Sequence, residues 1–219
     1  MSNIDSEIEY LSEFMTSERF ERLRGRLSQR TRYMSLCLED IFYPHNASAT
    51  IRSAEAFGVQ DIHAVQSLCH FSPSSHIVRG TDQWVDICRW SSTPELVAHL
   101  RAKGYRIVIS SPHMASVTLE NFDVQAGPFA LFMGTEKTGI SEWLMQQADE
   151  SIYIPMVGFA ESLNISVSAA IMLQQLSGRV RSNSDIEWQL KEQDGKELLL
   201  KWMKCSIVDV ENILKRQFK

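Results

Sequence analysis

Three short segments carry the residue types needed to hold a polar ligand and to manage a proton. The first, P-H-N-A-S-A-T-I-R-S from Pro44 to Ser53, contains Asn46, Ser48 and Arg52. The second, F-M-G-T-E-K-T-G from Phe132 to Gly139, sets one acid, Glu136, between Gly134 and Gly139. The third, I-P-M-V-G-F-A-E-S-L-N-I-S-V-S from Ile154 to Ser168, interrupts an apolar stretch with Ser162, Leu163 and Asn164 just where loop turns into helix. A helix N-terminus offers free N–H groups and the positive end of the dipole, so this third segment is a natural ligand platform.

Taken singly, each segment also has a plain structural reading. Asn46 and Ser48 would cap a helix beginning there, and Arg52 would be a solvated helix residue. Gly134 and Gly139 have the spacing of a phosphate loop, but Ile140-Ser141 stand where Lys and Ser/Thr are required, which excludes a Walker-type NTPase. No G-x-G-x-x-G follows a strand, so the dinucleotide fingerprint is absent. Cys37, Cys69, Cys88 and Cys205 are far apart and the six histidines are scattered, so no metal site is expected.

The elements around these segments alternate. Residues 6–30 carry Ile8, Leu11, Phe14, Met15, Phe20, Leu23 and Leu27 at helical spacing. Tyr33–Glu39 reads as a strand, 48–57 as a helix stopped by Gly58, and Asp61–Gln66 as a strand. Strands follow at 84–90, 105–110, 129–133 and 151–154. Helices are expected at 93–103, with Thr93 as N-cap and Pro94 after it, at 141–148 and at 163–176. Strand–helix alternation over 33–177 predicts an α/β domain with a mostly parallel sheet, whose ligands bind beyond the carboxyl ends of the strands. All three segments fall at such ends. Segment 185–218 is charged and amphipathic, a helical tail that needs something to pack on.

The 219 residues carry a formal charge of −5, which by itself argues against nucleic acid. Its distribution argues otherwise. Glu18 to Arg32 holds Arg19, Arg22, Arg24, Arg26, Arg30 and Arg32 against Glu18 and Glu21 alone. Arginine is the side chain best shaped for bidentate phosphate contact, so these six are candidate nucleic-acid-binding residues. No apolar run reaches membrane-span length, and the acidic N-terminus is a poor signal peptide, so a cytoplasmic protein is expected.

Together, N-x-S-A-x-x-R, G-T-E-x-x-G and I-P-M-x-G-x-x-x-S-L-N-x-S-V-S resemble the three motifs of the SpoU/TrmH branch of the SPOUT RNA 2′-O-methyltransferases, in order and spacing, from about residue 33 to 177. The arginine-rich segment before them and the tail after them are similar to the TrmH-type tRNA guanosine methyltransferases. The resemblance implies three parts: an N-terminal extension (1–32), a catalytic domain (33–177) with a C-terminal trefoil knot, and a C-terminal helical extension (178–219). It implies a homodimer that methylates a ribose in tRNA from S-adenosylmethionine, at guanosine 18 of the D-loop. An rRNA methyltransferase and a catalytically inactive RNA-binding member are the alternatives. By the same resemblance Arg52, Asn46, Glu136, Ser162 and Asn164 are catalytic, and Ser110, Gly134, Ile154 and Leu163 hold the cofactor.

Overall fold

The computed structural model describes residues 3–74, 78, 80–111, 117–135 and 138–217. They form two compact units, Thr31–Trp188 and the described residues of Met1–Arg30 with Gln189–Lys219.

The first unit is built on seven strands: β1 Met34–Glu39, β2 Asp61–Val65, β3 Asp86–Trp90, β4 Arg106–Ser110, β5 Val117–Thr118, β6 Phe129–Met133 and β7 Glu150–Tyr153. Their order is β3-β2-β1-β6-β4-β7-β5 and every pairing is parallel. The sequence MSLCLE of β1 and FALFM of β6 are buried throughout. Such unbroken runs are what central strands covered on both faces require. The pleat divides them: Leu36 and Leu38 belong to one core cluster with Ile51, Met172 and Leu173, while Cys37 joins Leu96, Leu100, Phe132 and Leu144 in the other. Burying one such aliphatic side chain contributes about 1.5–3 kcal/mol, so the two layers hold the sheet between them.

The helices of this unit are α3 Pro44–Ala56, α4 Thr93–Ala102, α5 Glu142–Gln147 and α6 Ile165–Ser182. Two boundaries correct the sequence reading. Helix α3 starts at Pro44, whose fixed φ and missing N–H suit a first turn, so Asn46 and Ser48 lie inside it as buried residues and cap nothing. Ser48 Oγ instead donates to the Pro44 carbonyl at 2.7 Å. Helix α4 is capped by Ser92, whose Oγ accepts from Glu95 N at 3.4 Å, and Thr93 is its first, buried residue.

The second unit is helical. Residues 6–30 do not make one helix: α1 Asn3–Ser12 and α2 Ser17–Leu27 are separated by a turn, and Thr16 caps α2 by accepting from Arg19 N at 3.2 Å. The tail supplies α7 Glu192–Ser206 and α8 Val210–Gln217. Leu11, Trp202 and Met203 are buried between α1 and α7, flanked by the ion pairs Asp5–Lys196 at 3.0 Å and Glu7–Lys204 at 2.8 Å.

Candidate active site

Because the sheet is parallel, every strand delivers its carboxyl end to one edge. Strands β6, β4 and β7 are neighbours there, so Gly134, Ser110 and Ile154, which follow or end them, share that edge. The Gly134 loop folds back tightly on itself. Thr135 N donates to Gly139 O at 2.9 Å and Gly139 N to Thr135 O at 3.0 Å. A Cβ on Gly134 would lie 2.2 Å from the Gly139 carbonyl carbon, and Gly139 has φ +70°. Both glycines are therefore demanded by the backbone path. Glu136 of this segment lies outside the described residues.

The first and third segments meet directly. Asn164 caps α6, its Oδ1 accepting from Ser166 N at 2.8 Å and Ser166 Oγ at 2.7 Å. Its Nδ2 donates to Oδ1 of Asn46, which is buried in α3, at 3.1 Å. Helices α3 and α6 pack along one another, so this pair sits at the head of a helix–helix seam. Arg52 lies further along α3, exposed to solvent. Ser162 and Leu163 are in the exposed segment leading into α6, with Met156, Val157 and Phe159 before them.

Two acids at the end of β1 were not among the predicted site residues. Glu39 is buried, and its Oε1 accepts from Thr93 Oγ1 at 2.7 Å and Ser141 Oγ at 2.8 Å, its Oε2 from Ser141 N at 3.0 Å. Asp40 has φ 49° and accepts from Leu68 N at 2.7 Å and Ser67 Oγ at 3.1 Å. The signal was present as two consecutive acids closing an apolar run, a costly place for unsatisfied carboxylates.

The six arginines do not form one set. Arg19, Arg22, Arg24 and Arg26 are exposed on α2, with Arg24 paired to Glu21 at 3.3 Å. Arg30 is buried over the Trp202 ring at 5.2 Å. Arg32 pairs with Asp61 and, at 2.7 Å, with Asp86. Burial opposes the charge on Arg32, but the two acids outweigh it and hold its pKa above the ordinary value. Arg30 and Arg32 are thus engaged within the protein, unlike the exposed arginines of α2. Two residues further along β2 than Asp61, burial lowers His63 to about 4, with His99 contributing, and its Nδ1 accepts from Trp90 Nε1 at 3.1 Å.

The arrangement suits a polar ligand with a flat apolar part. It offers backbone groups at three adjacent strand ends, a capped helix N-terminus and exposed apolar side chains beside them. Known proteins give it a context. The SpoU rRNA Methylase family model matches residues 33–174. The tRNA (guanosine(18)-2′-O)-methyltransferase of Borreliella burgdorferi is 35% identical over 207 residues, 93% of this chain and 94% of that protein. The crystal structure of the A. aeolicus TrmH/SpoU tRNA modifying enzyme superposes with a TM-score of 0.78 at 26% identity, covering 88% of this chain and 98% of that one. An AdoMet-bound rRNA methyltransferase from Sinorhizobium meliloti gives 0.61 at 26% identity, covering 72% and 60%. With the family model spanning the whole sheet and a relative aligned over 93% of the chain, the chain belongs to the SpoU methylase family.

Proposed function

We propose that the protein methylates a ribose 2′-hydroxyl in tRNA, at guanosine 18, with S-adenosylmethionine as donor. The observation that carries this reading is the Asn46–Asn164 hydrogen bond, which joins two family motifs 118 residues apart at the edge where the Gly134 loop closes. The extent of the Borreliella relative, which reaches into both terminal segments, favours tRNA over rRNA as the substrate.

When bound, S-adenosylmethionine supplies an electrophilic methyl group. Gly134, Ile154, Leu163 and Ser110 hold it through the loops at the strand ends, and Ser162 and Asn164 shape the pocket between donor and ribose. Alignment at about 3 Å removes much of the entropic barrier. The ribose hydroxyl is a poor acid and needs a local positive field as it loses its proton. Arg52 supplies that field and binds the neighbouring phosphate while the hydroxyl's proton passes to solvent water; a guanidinium, with a pKa above about 12, resists the alternative role of general base. Asn46 orients the first motif, and Glu136 orients Arg52 or a hydroxyl. Domain 33–177 carries the chemistry, with the family's trefoil knot in 129–176, as a cytoplasmic homodimer. The N-terminal segment 1–32 adds RNA contacts through Arg19, Arg22, Arg24 and Arg26, and 178–219 is the C-terminal helical extension.

The test is transfer of labelled methyl to unmodified tRNA, with mapping of the product. We expect 2′-O-methylguanosine in the D-loop, lowered about 10²–10³-fold by Arg52→Ala. Transfer to rRNA alone would overturn the substrate. Retention of a pH–rate limb in wild type that Arg52→Lys abolishes would overturn the electrostatic role and restore the base.

A further inference from the structure

The mechanism above leaves Glu39 unused, although it is one of the most completely bonded side chains in the unit. It lies 3% exposed at the end of β1 and receives three hydrogen bonds from two segments far apart in sequence. Thr93 is the first residue of α4; Ser141 is the N-cap of α5. Ser141 is also the residue at which the Gly134 loop ends, two positions after Gly139.

The donors at this point leave little freedom. The Ser141 hydroxyl gives its only hydrogen to Glu39 Oε1 at 2.8 Å and accepts from Leu144 N at 3.3 Å, so one side chain caps α5 and ties it to β1. The Ser141 N–H has no other orientation available and points at Oε2. A carboxylate, an acceptor at both oxygens, matches three donors; a carboxamide can accept from the Ser141 N–H only by turning its NH2 to the Thr93 and Ser141 hydroxyls, both of which must then reverse. The other end of the loop is held too, since Met133 before Gly134 is paired in register with Leu38, next to Glu39. The loop is thus fixed to β1 at its entry by the strand ladder and at its exit by Glu39.

We propose that Glu39 is a positioning residue for the methyl donor: acting through Ser141, it sets the exit of the Gly134–Gly139 loop. This rests on the reading that this loop holds S-adenosylmethionine. Glu39 touches neither donor nor RNA. Its removal lets the loop relax, so the donor's binding weakens while the ribose chemistry and the RNA contacts persist.

The experiment compares wild type, Glu39→Gln, Ser141→Ala and the double variant in two measurements. Hydrogen exchange of the ligand-free protein reads the amides of Ser141 and Leu144. Calorimetry reads the affinity for S-adenosylhomocysteine. Losing bonds to a charged acceptor predicts about tenfold faster exchange and about tenfold weaker binding in each single variant. The double variant is expected to be no worse than the worse single one, because both break the same link. KM for the donor is expected to rise with kcat and RNA affinity unchanged, a split that general destabilisation would not produce. Should Glu39→Gln fail to fold, exposed Ser141→Ala carries the same expectation alone. Unchanged affinity in both single variants, additive losses, or equal losses for RNA and donor would overturn the proposal. Wild-type protein that binds no S-adenosylhomocysteine would overturn the methyl-donor reading itself, and this inference with it.

Discussion

The two edges of the same parallel sheet handle charge in opposite ways. At the amino edge, first residues of strands pair with cations: Asp61 and Asp86 with Arg32, and Glu150 with Arg106, itself the first residue of β4. At the carboxyl edge, Glu39 and Asp40 accept, among the described residues, from neutral donors, hydroxyls and backbone N–H groups. Ion pairs at one edge cancel charge and lock strand starts together. Neutral donors at the other hold the loops without consuming a cation. The difference shows which edge is arranged for stability and which for a ligand.

The largest break in that comparison comes from one methyl group. In Gly134→Ala the new Cβ meets Gly139 backbone at 2.2–2.3 Å, so the loop must open. Overpacking of this kind costs about 1–3 kcal/mol. Expressed as binding, that is about fivefold to 150-fold weaker S-adenosylhomocysteine by calorimetry. Denaturant midpoints should move less than binding does, because the core lies below the loop. Unchanged affinity would show that the carboxyl edge does not hold the donor.

The amino edge predicts the reverse. Asp61→Asn removes one of two acids on Arg32, whose side chain is 35% exposed and keeps Asp86 at 2.7 Å. Burial raises the pKa of Asp61 while Arg32 opposes the rise, so the carboxylate already bears a desolvation cost. Screening and the remaining partner reduce the loss to about 1–2 kcal/mol of stability. Urea denaturation reads it; donor affinity per folded molecule should be unchanged. A parallel fall in affinity would mean the two edges are not separate in function.

The sequence carried the strands and the three loops well, for a physical reason. Runs such as MSLCLE and FALFM have no alternative to burial on both faces, and glycines bracketing Thr135–Thr138 advertise a tight turn. What it hid was determined across long separations. Asn46 looked like a cap because nothing local names Asn164, its partner 118 residues on. Glu39 stood only as the last residue of a strand, because its partners on α4 and at the start of α5 lie 54 and 102 residues away. The two-residue β5 has no periodicity to read, and α3 began earlier than expected because Pro44, not a polar cap, starts it. Arg22 and Arg30 stand in one charge run, yet Arg30 is buried against Trp202, 172 residues further on, while Arg22 is exposed.

That last distinction yields the smallest effect and a clean contrast. Arg22 and Arg26 are exposed on α2, and an exposed contact contributes up to about 1 kcal/mol, so Arg22→Ala or Arg26→Ala should weaken tRNA binding about twofold to fivefold. The sharper readout is salt. Each lost phosphate contact should lower the slope of log Kd against log salt by about 0.7–0.9, measured by filter binding over a salt series. Stability should be unaffected, since neither side chain is packed. Arg30→Ala is expected to invert both results: its guanidinium lies 5.2 Å from the Trp202 ring centroid in a buried setting, so its loss costs packing and leaves the salt slope alone. If Arg30→Ala changes the slope while Arg22→Ala does not, then phosphate is read by the arginine that the helical unit buries, and exposure is the wrong guide to which cations RNA uses.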